Sequence, residues 1–429
     1  MFKQFIGDRA FYKTLITVAL PLVLQQLITT SVQLVDNVMV GRLGEEAIGS
    51  VSVVNQLYFV VILVTFGALG GAGIFTAQYF GSKDYEKLKQ TFRFKLLVGL
   101  FLALLSFVIF SLFGETLIRL FTDDMQTIQG ALGYLNIVKW SAFPWILSVA
   151  IANTFRETGV TKPLLKISIV AILVNTGLNF ILIFGLLGFP ALGVIGAAIA
   201  TLIARTVECL LTVILLSRKG SMFNTKLLDM FKIDRKILWG IILMALPLTI
   251  NEALWSSGQT VFIHAYARRG LSALAAMNIT GAISQLVFVT FGGIATAVAV
   301  MVGNTLGKNE LDQARDNAKK LIFTSVLIAI AAGIFLFILS FFILDIYSVD
   351  FDTKRVAQFN IRINALFIPV YSFNVALYFT LRSGGDTKST MLIDSGYMWV
   401  VPVPVAMILS YFTQLPITMM FLIVQSLDI

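Results

Sequence analysis

Apolar runs of helix length recur through this sequence and limit its fold more than any other feature. Of its 429 residues, 58% are hydrophobic and only 13% are charged, whereas soluble domains have about 25% charged residues. About 20 apolar residues suffice for a helix to cross a bilayer, and strands of membrane barrels alternate polar and apolar residues over about ten. Only helices fit these runs and satisfy the backbone in lipid. The sequence therefore predicts an all-α membrane protein.

We predict twelve transmembrane helices. Lys and Arg concentrate in alternate connectors, a pattern typical of loops that stay in the cytoplasm, and this pattern places the N-terminus there. The N-terminal segment is short and basic and lacks a cleavage site of small residues, so the first span is not a removed signal peptide. The spans lie at about 14–40, 47–78, 94–113, 131–153, 163–186, 191–216, 237–263, 271–303, 320–344, 359–381, 389–411 and 416 to the end.

An internal repeat sets the predicted architecture. Three segments recur at one offset of 226 residues (247 − 21 = 226): ALPL at 19–22 and 245–248, GSK at 81–83 and GKN at 307–309, and RETGVTK at 156–162 and RSGGDTK at 382–388. Each unit contains six spans, an even number, so both halves point the same way. Two parallel six-helix repeats are a recurrent plan in transporters.

The repeat also defines the predicted domains. An amino-terminal six-helix lobe covers 1–216, a polar cytoplasmic linker covers 217–236, and a carboxy-terminal lobe covers 237–429. The sixth span, at about 191–216, has its expected partner at about 417–442, and the sequence stops at Ile429. We therefore expect the last helix to be truncated in this chain.

Asp36 lies in the second half of the first span, where a charged side chain costs roughly 2.5–3.5 kcal/mol. Asn175 and Asn179 share one face of the fifth span at i and i+4. Asn175 and Thr201 of the sixth span fall at similar depth, with Asn179 and Asp36 nearer the outside. With a backbone carbonyl, these side chains would form an all-oxygen cluster of the kind that hard cations prefer, and the carboxylate alone could carry a proton. The alternatives are that Asp36 reaches headgroup water and that the amides and hydroxyl only join helices.

The second half of the chain carries a different polar set. Phe262 stands at the position equivalent to Asp36, and Glu252 lies about mid-span in the seventh helix at the position of Gln26. A buried Glu is a candidate proton carrier, or a counter-charge for a cationic substrate. Further candidates for a substrate or proton site in this half are Gln259, Asp386 and Asp394. Some aromatic side chains could also line a cavity and attract organic cations: Trp140, Trp145, Trp255 and Tyr371.

Composition and motifs exclude several classes of function. The net charge of +9 sits in short connectors, so we expect no nucleic-acid binding. One His and one Cys exclude a His-rich metal site and an intrachain disulfide framework. Arg205 and Glu208, at i and i+3 in the sixth span, are expected to pair with each other. No Walker loop, HExxH motif or nucleophile elbow occurs, so we expect no enzyme and no cofactor beyond a coupling ion.

The sequence resembles the multidrug and toxic compound extrusion (MATE) transporters over essentially its whole length. The resemblance rests on ALPL leading to QLVDNVMVGRLG at 33–44, YFGSKDYEKLKQT at 79–91, RETGVTKP at 156–163, PLTINEALWSSGQ at 247–259 and LRSGGDTK at 381–388. It implies two lobes arranged as a V and cation-coupled antiport of amphipathic, often cationic, organic compounds. We expect a monomer in the cell membrane whose partners are such small molecules and membrane lipid.

The resemblance also implies roles for residues that match the family's pattern. By position, Asp36 matches the acidic residue of the first helix that is central to coupling in the amino-terminal lobe. Pro21 matches a proline at which the first helix is proposed to bend. The family's cation cluster is matched by Asn175, Asn179, Thr201 and the Ala197 carbonyl. The implied coupling ion is Na⁺, held as a metal by Asp36, Asn175, Asn179 and Thr201, or H⁺.

In the second half, Glu252 matches an acidic residue of the seventh helix in several branches of the family. Asp386 matches one that is implicated in the carboxy-terminal lobe of some members. Two other functions remain open. A flippase of lipid-linked precursors from the same superfamily would be expected to have a more basic cavity, whereas the intramembrane cations here are Lys139 and Arg205. A membrane-embedded enzyme is the third alternative, and the single His argues against it.

Overall fold

The protein is described by a computed structural model that covers residues 5–218, 223, 229–346 and 349–427. Every regular element in these ranges is a helix, which confirms the predicted all-α fold. The α-helices are α1 (Arg9–Gly41), α2 (Glu45–Gly81), α3 (Tyr85–Arg119), α4 (Met125–Val138), α5 (Ala142–Glu157), α6 (Lys162–Phe184), α7 (Gly193–Arg218), α8 (Arg235–Ala267), α9 (Leu271–Gly307), α10 (Leu311–Leu339), α11 (Phe351–Ser383), α12 (Thr387–Met391), α13 (Tyr397–Val400), α14 (Pro402–Phe412) and α15 (Ile417–Ser426).

These helices occupy the twelve predicted spans in order. A 3₁₀ turn at Lys139–Ser141 joins α4 and α5 into one span, and a π-helical turn at Leu392–Gly396 joins α12 to α13. Within the described ranges, ten spans are long and apolar enough to cross a membrane, and shorter apolar helices end at Gly307 and Ser426. The chain is thus a multi-pass membrane protein.

The predicted start of the third span, at about 94, is wrong. Helix α3 begins at Tyr85, where Asp84 caps its first turn by accepting a hydrogen bond from the Lys87 amide at 3.2 Å. Lys95 therefore lies inside α3, and its side chain is fully buried. The first turns of this helix are polar and precede its apolar run, so hydropathy alone placed its start nine residues too late.

The backbone shows the repeat directly at its turns. Gly44 and Gly270 precede α2 and α9 with φ of 111° and 107°, a conformation that suits glycine because it lacks a Cβ. Lys83 and Asn309 follow α2 and α9 with φ of 60° and 63°. The members of each pair stand 226 residues apart in the sequence (309 − 83 = 226). The two halves of the chain therefore repeat their local conformation as well as their sequence.

The helices pack into two compact units, one of Met1–Val23 with Pro247–Ile429 and one of Leu24–Leu246. The division runs through α1 and α8, just after Pro21 and just before Pro247, and both prolines lie inside continuous helices. The predicted linker 217–236 includes 219–222 and 224–228, which lie outside the described residues. The domain limits of 1–216 and 237–429 and the bend at Pro21 stay predictions.

Each unit has its own apolar core. In the Leu24–Leu246 unit, one core joins α2, α4 and α7 around Val54, Ile128 and Ala198, each almost fully buried. In the other unit, one core joins α9, α10 and α11 around Ala276, Ala329, Ile361 and related residues. These cores fix the helices on which the polar side chains described below are mounted.

Candidate functional site

Asp36 is the centre of a polar cluster in the Leu24–Leu246 unit. Its half-buried carboxylate in α1 accepts a hydrogen bond at Oδ1 from the Asn179 amide, Nδ2, at 2.9 Å. The same Nδ2 lies 3.4 Å from Asn175 Oδ1, one turn earlier on α6. The i and i+4 spacing of the two asparagines thus brings both amides to one face, as their sequence positions indicate. We call Asp36, Asn175 and Asn179 the Asp36 cluster, and the part of Thr201 in it stays a prediction.

The oxygen of the Asn179 side chain lacks a partner. Asn179 is 97% buried (3% exposed), and its Oδ1 accepts no hydrogen bond. A buried polar atom without a partner costs about 1–3 kcal/mol, so such an atom in a native structure requires an explanation. A small cation bound beside the Asp36 carboxylate would use this oxygen as a ligand.

Helix α7 brings the remaining members of the predicted site close to α6. A Cβ at Gly196 would stand 2.6 Å from the Leu182 carbonyl oxygen, so only glycine permits this approach of the two backbones. Ala197 is buried beside it in the core of this unit. Thr201 lies one turn further along α7. The participation of the Ala197 carbonyl in ion binding stays a prediction.

Tyr134 is a buried polar residue near the predicted site that the sequence did not indicate. It belongs to α4 and packs in the same core as Ala197. Aromatic residues are frequent throughout the spans, so no pattern in the sequence separated Tyr134 from the others.

The predicted pairing of Arg205 with Glu208 is confirmed. Arg205 Nη1 lies 3.1 Å from Glu208 Oε2 on α7, and its guanidinium lies 6.0 Å from the centre of the Trp145 ring. Among the described residues, no group of three or more His, Cys, Asp or Glu side chains could hold a metal ion. With its single carboxylate, the Asp36 cluster suits a monovalent cation better than a divalent one.

The second unit contains a cluster with more charge, formed by Asn251, Glu252, Arg382 and Asp394, which we call the Arg382 cluster. Asn251 Nδ2 donates to Asp394 Oδ2 at 2.9 Å. The Arg382 guanidinium lies between the two carboxylates, with Nη1 at 3.5 Å from Glu252 Oε1 and Nη2 at 3.9 Å from Asp394 Oδ2. Three helical segments, α8, the end of α11 and the π-helical turn, thus meet at these four side chains.

Asp394 stands in the π-helical turn Leu392–Gly396. Such turns are rare and frequently occur at functional sites. Side chains on and after this turn bond to the backbone of α8, with Ser395 Oγ donating to the Asn251 carbonyl and Trp399 Nε1 to the Leu254 carbonyl, each at 2.8 Å. These bonds fix the part of α8 that carries Glu252 against the segment that carries Asp394.

A cavity of about 1040 Å³ opens beside the Arg382 cluster. Its wall includes all four members of the cluster, the predicted candidate Gln259, and Phe262 at the position equivalent to Asp36. Phe288, Phe291 and Tyr371 form part of the wall and contact one another with ring centres 5.2–5.9 Å apart. Asp386 lies elsewhere, at the start of α12, where its carboxylate accepts a hydrogen bond from the Ser389 amide at 3.1 Å.

A third polar contact lies in the first unit and joins α3 to α5. The fully buried Lys95 ammonium pairs with the Glu157 carboxylate and lies 3.3 Å from Thr154 Oγ1. A Cβ added to Gly73 of α2 would collide with the same carboxylate. The sequence did not indicate this pair because both residues stand near charge-rich connectors.

Comparisons with known proteins agree with the fold and with the repeat. The sequence model of the MatE family matches residues 21–181 and 247–412, one stretch in each half of the chain. A relative from Bacillus subtilis, the probable multidrug resistance protein YoeA, is 28% identical over 404 residues, which cover 92% of this chain and 86% of YoeA. The probable multidrug resistance protein NorM of Bradyrhizobium diazoefficiens is 27% identical over 419 residues, covering 94% and 88%.

Solved structures give the same fold. A crystal structure of a MATE protein in complex with MaL6 superposes with a TM-score of 0.89 at 19% identity, covering 99% of this chain and 94% of that one. An outward-facing multidrug resistance MATE transporter of the MOP superfamily gives 0.89 at 20% identity, with the same coverage. The chain belongs to the MATE family, which is a family of transporters and not of enzymes.

Proposed function

We propose that this chain exports amphipathic organic compounds in exchange for Na⁺ or H⁺, by exposing its binding sites to one side of the membrane at a time. The relatives named as multidrug resistance proteins support export of several compounds, since they align with this chain over most of both lengths. The charge of the connectors supports an N-terminus in the cytoplasm and a location in the cell membrane.

The contact between Asn179 and Asp36 is the observation that supports ion coupling at Asp36. Asp36 lies at membrane depth, and its carboxylate accepts only part of the bonding that it could take, while Asn179 Oδ1 has no partner. A proton or Na⁺ at this position removes a buried negative charge. Because a ligand shifts a conformational equilibrium only by its difference in affinity for the two states, such a change of charge is suited to drive one.

The cluster alone does not distinguish the two ions. A single carboxylate with amide and hydroxyl oxygens can bind Na⁺, and the carboxylate can equally bind a proton. Exchange driven by a Na⁺ gradient at constant pH, or by a pH gradient without Na⁺, would identify the ion. Collapsing the effective gradient with the matching ionophore should stop export.

The test is ethidium transport by proteoliposomes that contain the full chain and carry an imposed ion gradient. We expect Asp36→Asn to reduce gradient-driven transport to background, because the amide can neither release a proton nor attract Na⁺ as a charge does. The matched control is Asp123→Asn, the same change at an exposed acidic residue of the connector between α3 and α4. Transport at the unmodified rate in Asp36→Asn would disprove the coupling role of Asp36.

The same assay addresses the flippase alternative. With both carboxyls ionised, the cavity beside the Arg382 cluster carries one net negative charge, which disfavours a lipid-linked pyrophosphate. We therefore expect organic cations to be transported and anionic lipid precursors not to be. Movement of a lipid pyrophosphate without transport of any organic cation would favour the flippase.

A further inference from the structure

The two repeats place an arginine at one equivalent position but give it different direct contacts. In the first unit, Arg156 Nη2 lies 3.4 Å from Gln25 Oε1 and Nη1 lies 3.2 Å from Asn153 Oδ1, both neutral amide oxygens. In the second unit, Arg382 faces the carboxylates of Glu252 and Asp394. In the first repeat the guanidinium therefore contacts amide oxygens directly, and the Glu157 and Glu208 carboxylates act on it at longer range. In the second repeat it contacts two carboxylates directly.

The contacts of Arg382 with these acids are long. Charge-assisted hydrogen bonds from guanidinium to carboxylate are typically 2.7–2.9 Å, whereas the two distances here are 3.5 and 3.9 Å. Arg382 Nε is buried and has no hydrogen-bond partner. The guanidinium also lies 5.0 Å from the centre of the Phe379 ring, one turn earlier on α11. Arg382 is thus held loosely by the carboxylates and has an aromatic face beside it.

The other polar atoms of the cluster are arranged for a ligand that the protein itself does not supply. Asn251 is 1% exposed and lines the cavity, and its Oδ1 accepts no hydrogen bond. Glu252 and Asp394 retain about a quarter of their side-chain exposure, on the side of the cavity. A positively charged group in the cavity would therefore meet two carboxylates and one free amide oxygen.

The net charge of the cavity wall determines which charged ligands it favours. Within the described residues, the charged side chains of the wall are Glu252, Arg382 and Asp394. With these three ionised, the wall carries one net negative charge. Aromatic rings line the remainder, and ring faces attract organic cations.

We propose that Arg382 competes with positively charged ligands for the Glu252 and Asp394 carboxylates. A cationic ligand in the cavity displaces the guanidinium from these carboxylates. The site therefore accepts organic cations with a single charge. This inference rests on the proposed export function and adds to it a specificity-determining residue. A ligand with one charge replaces the guanidinium at the carboxylates without leaving either acid unpaired. A ligand with two charges meets the repulsion of Arg382 with its second charge.

Two dyes that share one ring system provide the test, ethidium with one permanent positive charge and propidium with two. Binding to the purified full chain in detergent gives a propidium-to-ethidium affinity ratio for each variant. We expect Arg382→Gln to tighten both dyes and to raise this ratio roughly tenfold, because the wall then carries two net negative charges. General damage to the cavity would weaken both dyes and would not raise the ratio.

Three further variants keep the test decisive if Arg382→Gln folds poorly. The double variant Arg382→Gln with Asp394→Asn restores one net negative charge, and we expect the ratio of the unmodified chain. Arg382→Lys keeps the charge, so we expect the ratio to stay unchanged. Arg156→Gln is the matched control, because it removes the equivalent arginine of the first repeat, whose hydrogen bonds go to amides and which is not part of this cavity wall.

An unchanged ratio in Arg382→Gln, or an equal rise in Arg156→Gln, would overturn the role of Arg382. That failure is distinguishable from failure of the export function. If the unmodified chain transports ethidium and Asp36→Asn does not, the proposed function stands even when the ratio does not respond to Arg382. If the unmodified chain binds neither dye, both proposals fall.

Discussion

The two repeats share a backbone plan but differ in where they place charge. The first repeat puts a single acid, Asp36, among amides, and it places Gln25 and Ser168 at the positions where the second repeat has Asn251 and Asp394. The side-chain contact is kept at both places, with Gln25 Nε2 donating to Ser168 Oγ at 2.6 Å and Asn251 Nδ2 to Asp394 Oδ2 at 2.9 Å. One geometry thus serves a neutral pair in one unit and a charged cluster in the other.

A second difference between the repeats lies where α2, α3 and α5 of the first repeat pack together. Lys95 and Glu157 form a buried ion pair, whereas the equivalent residues Leu321 and Ser383 are buried without charge. Gly73 leaves room for the Glu157 carboxylate, and Ala299 stands at its equivalent position. The second repeat therefore shows that uncharged residues, Leu321 and Ser383, can occupy the positions where the first repeat has a buried ion pair.

The largest effect is expected from breaking this pair. Lys95→Leu leaves Glu157 without its partner, and an uncompensated buried charge costs about 3–5 kcal/mol. The double variant Lys95→Leu with Glu157→Ser installs the residues of the second repeat, and we expect it to recover most of the loss. Thermal unfolding in detergent measures both. A double variant that is no more stable than Lys95→Leu would show that the residues of the second repeat cannot replace the ion pair of the first.

A smaller effect is expected from Gly73→Ala. The added methyl group forces the Glu157 carboxylate to move, and overpacking of this kind costs about 1–3 kcal/mol. In the background of Lys95→Leu with Glu157→Ser, the same change should be tolerated, because the second repeat combines Ala299 with Leu321 and Ser383. Comparing the change in the two backgrounds by thermal unfolding gives the coupling. Equal losses in both would locate the cause of the strain elsewhere.

Neutralising the acid of the π-helical turn tests the charge difference itself. Asp394→Asn keeps an oxygen that can accept from Asn251 but leaves the cavity wall with no net charge. We expect ethidium binding to weaken roughly tenfold or more by fluorescence titration. Ser168→Ala removes the equivalent side chain of the first repeat and should leave this binding unchanged. Equal weakening in the two variants would mean that the charged cluster has no special part in binding.

Sequence reasoning was most successful where local spacing determines geometry. The i and i+4 spacing of Asn175 and Asn179 places both amides on one face of α6, and counting from helix ends brings Asn179 near the depth of Asp36. The i and i+3 spacing of Arg205 and Glu208 predicts their pair in the same way. These interactions need only helix geometry and a common depth, and both can be derived from the order of residues.

It failed where a charge lies inside a helix that extends past its apolar run. Lys95 stands in the first turn of the predicted span 94–113, and Arg382 follows the predicted span 359–381. Composition therefore gives no reason to expect either side chain to be buried. Their burial depends on neighbouring helices that cover them. The π-helical turn at Asp394 is equally invisible, because it depends on bonds from Ser395 and Trp399 to the backbone of α8. The repeat did mark Arg382 as a residue of interest, since Arg156 and Arg382 begin the same recurring motif.

The smallest effects are expected where the two repeats agree. Asp124 and Asp350 stand at equivalent positions and cap α4 and α11, accepting hydrogen bonds from the amides of Thr127 and Thr353 at 2.8 and 3.0 Å. Hydrogen bonds from the side chain and then the amide of each threonine hold the pKa of both carboxyls below the usual range. Because the folded pKa is lowered, the stabilisation is present above the unfolded pKa of about 3.9 and is lost as the pH falls below it.

We therefore expect Asp124→Ala and Asp350→Ala to lower the thermal midpoint at pH 7 by small and similar amounts, less than any variant above. The difference from the unmodified chain should shrink as the pH falls below about 4, because protonation weakens the cap that the substitution removes. Thermal unfolding of both variants across this pH range measures the difference. Asp123→Ala is the control, because Asp123 is exposed and does not cap a helix. A much larger loss for one cap than for the other would show that even the shared turns of the repeats differ in energy.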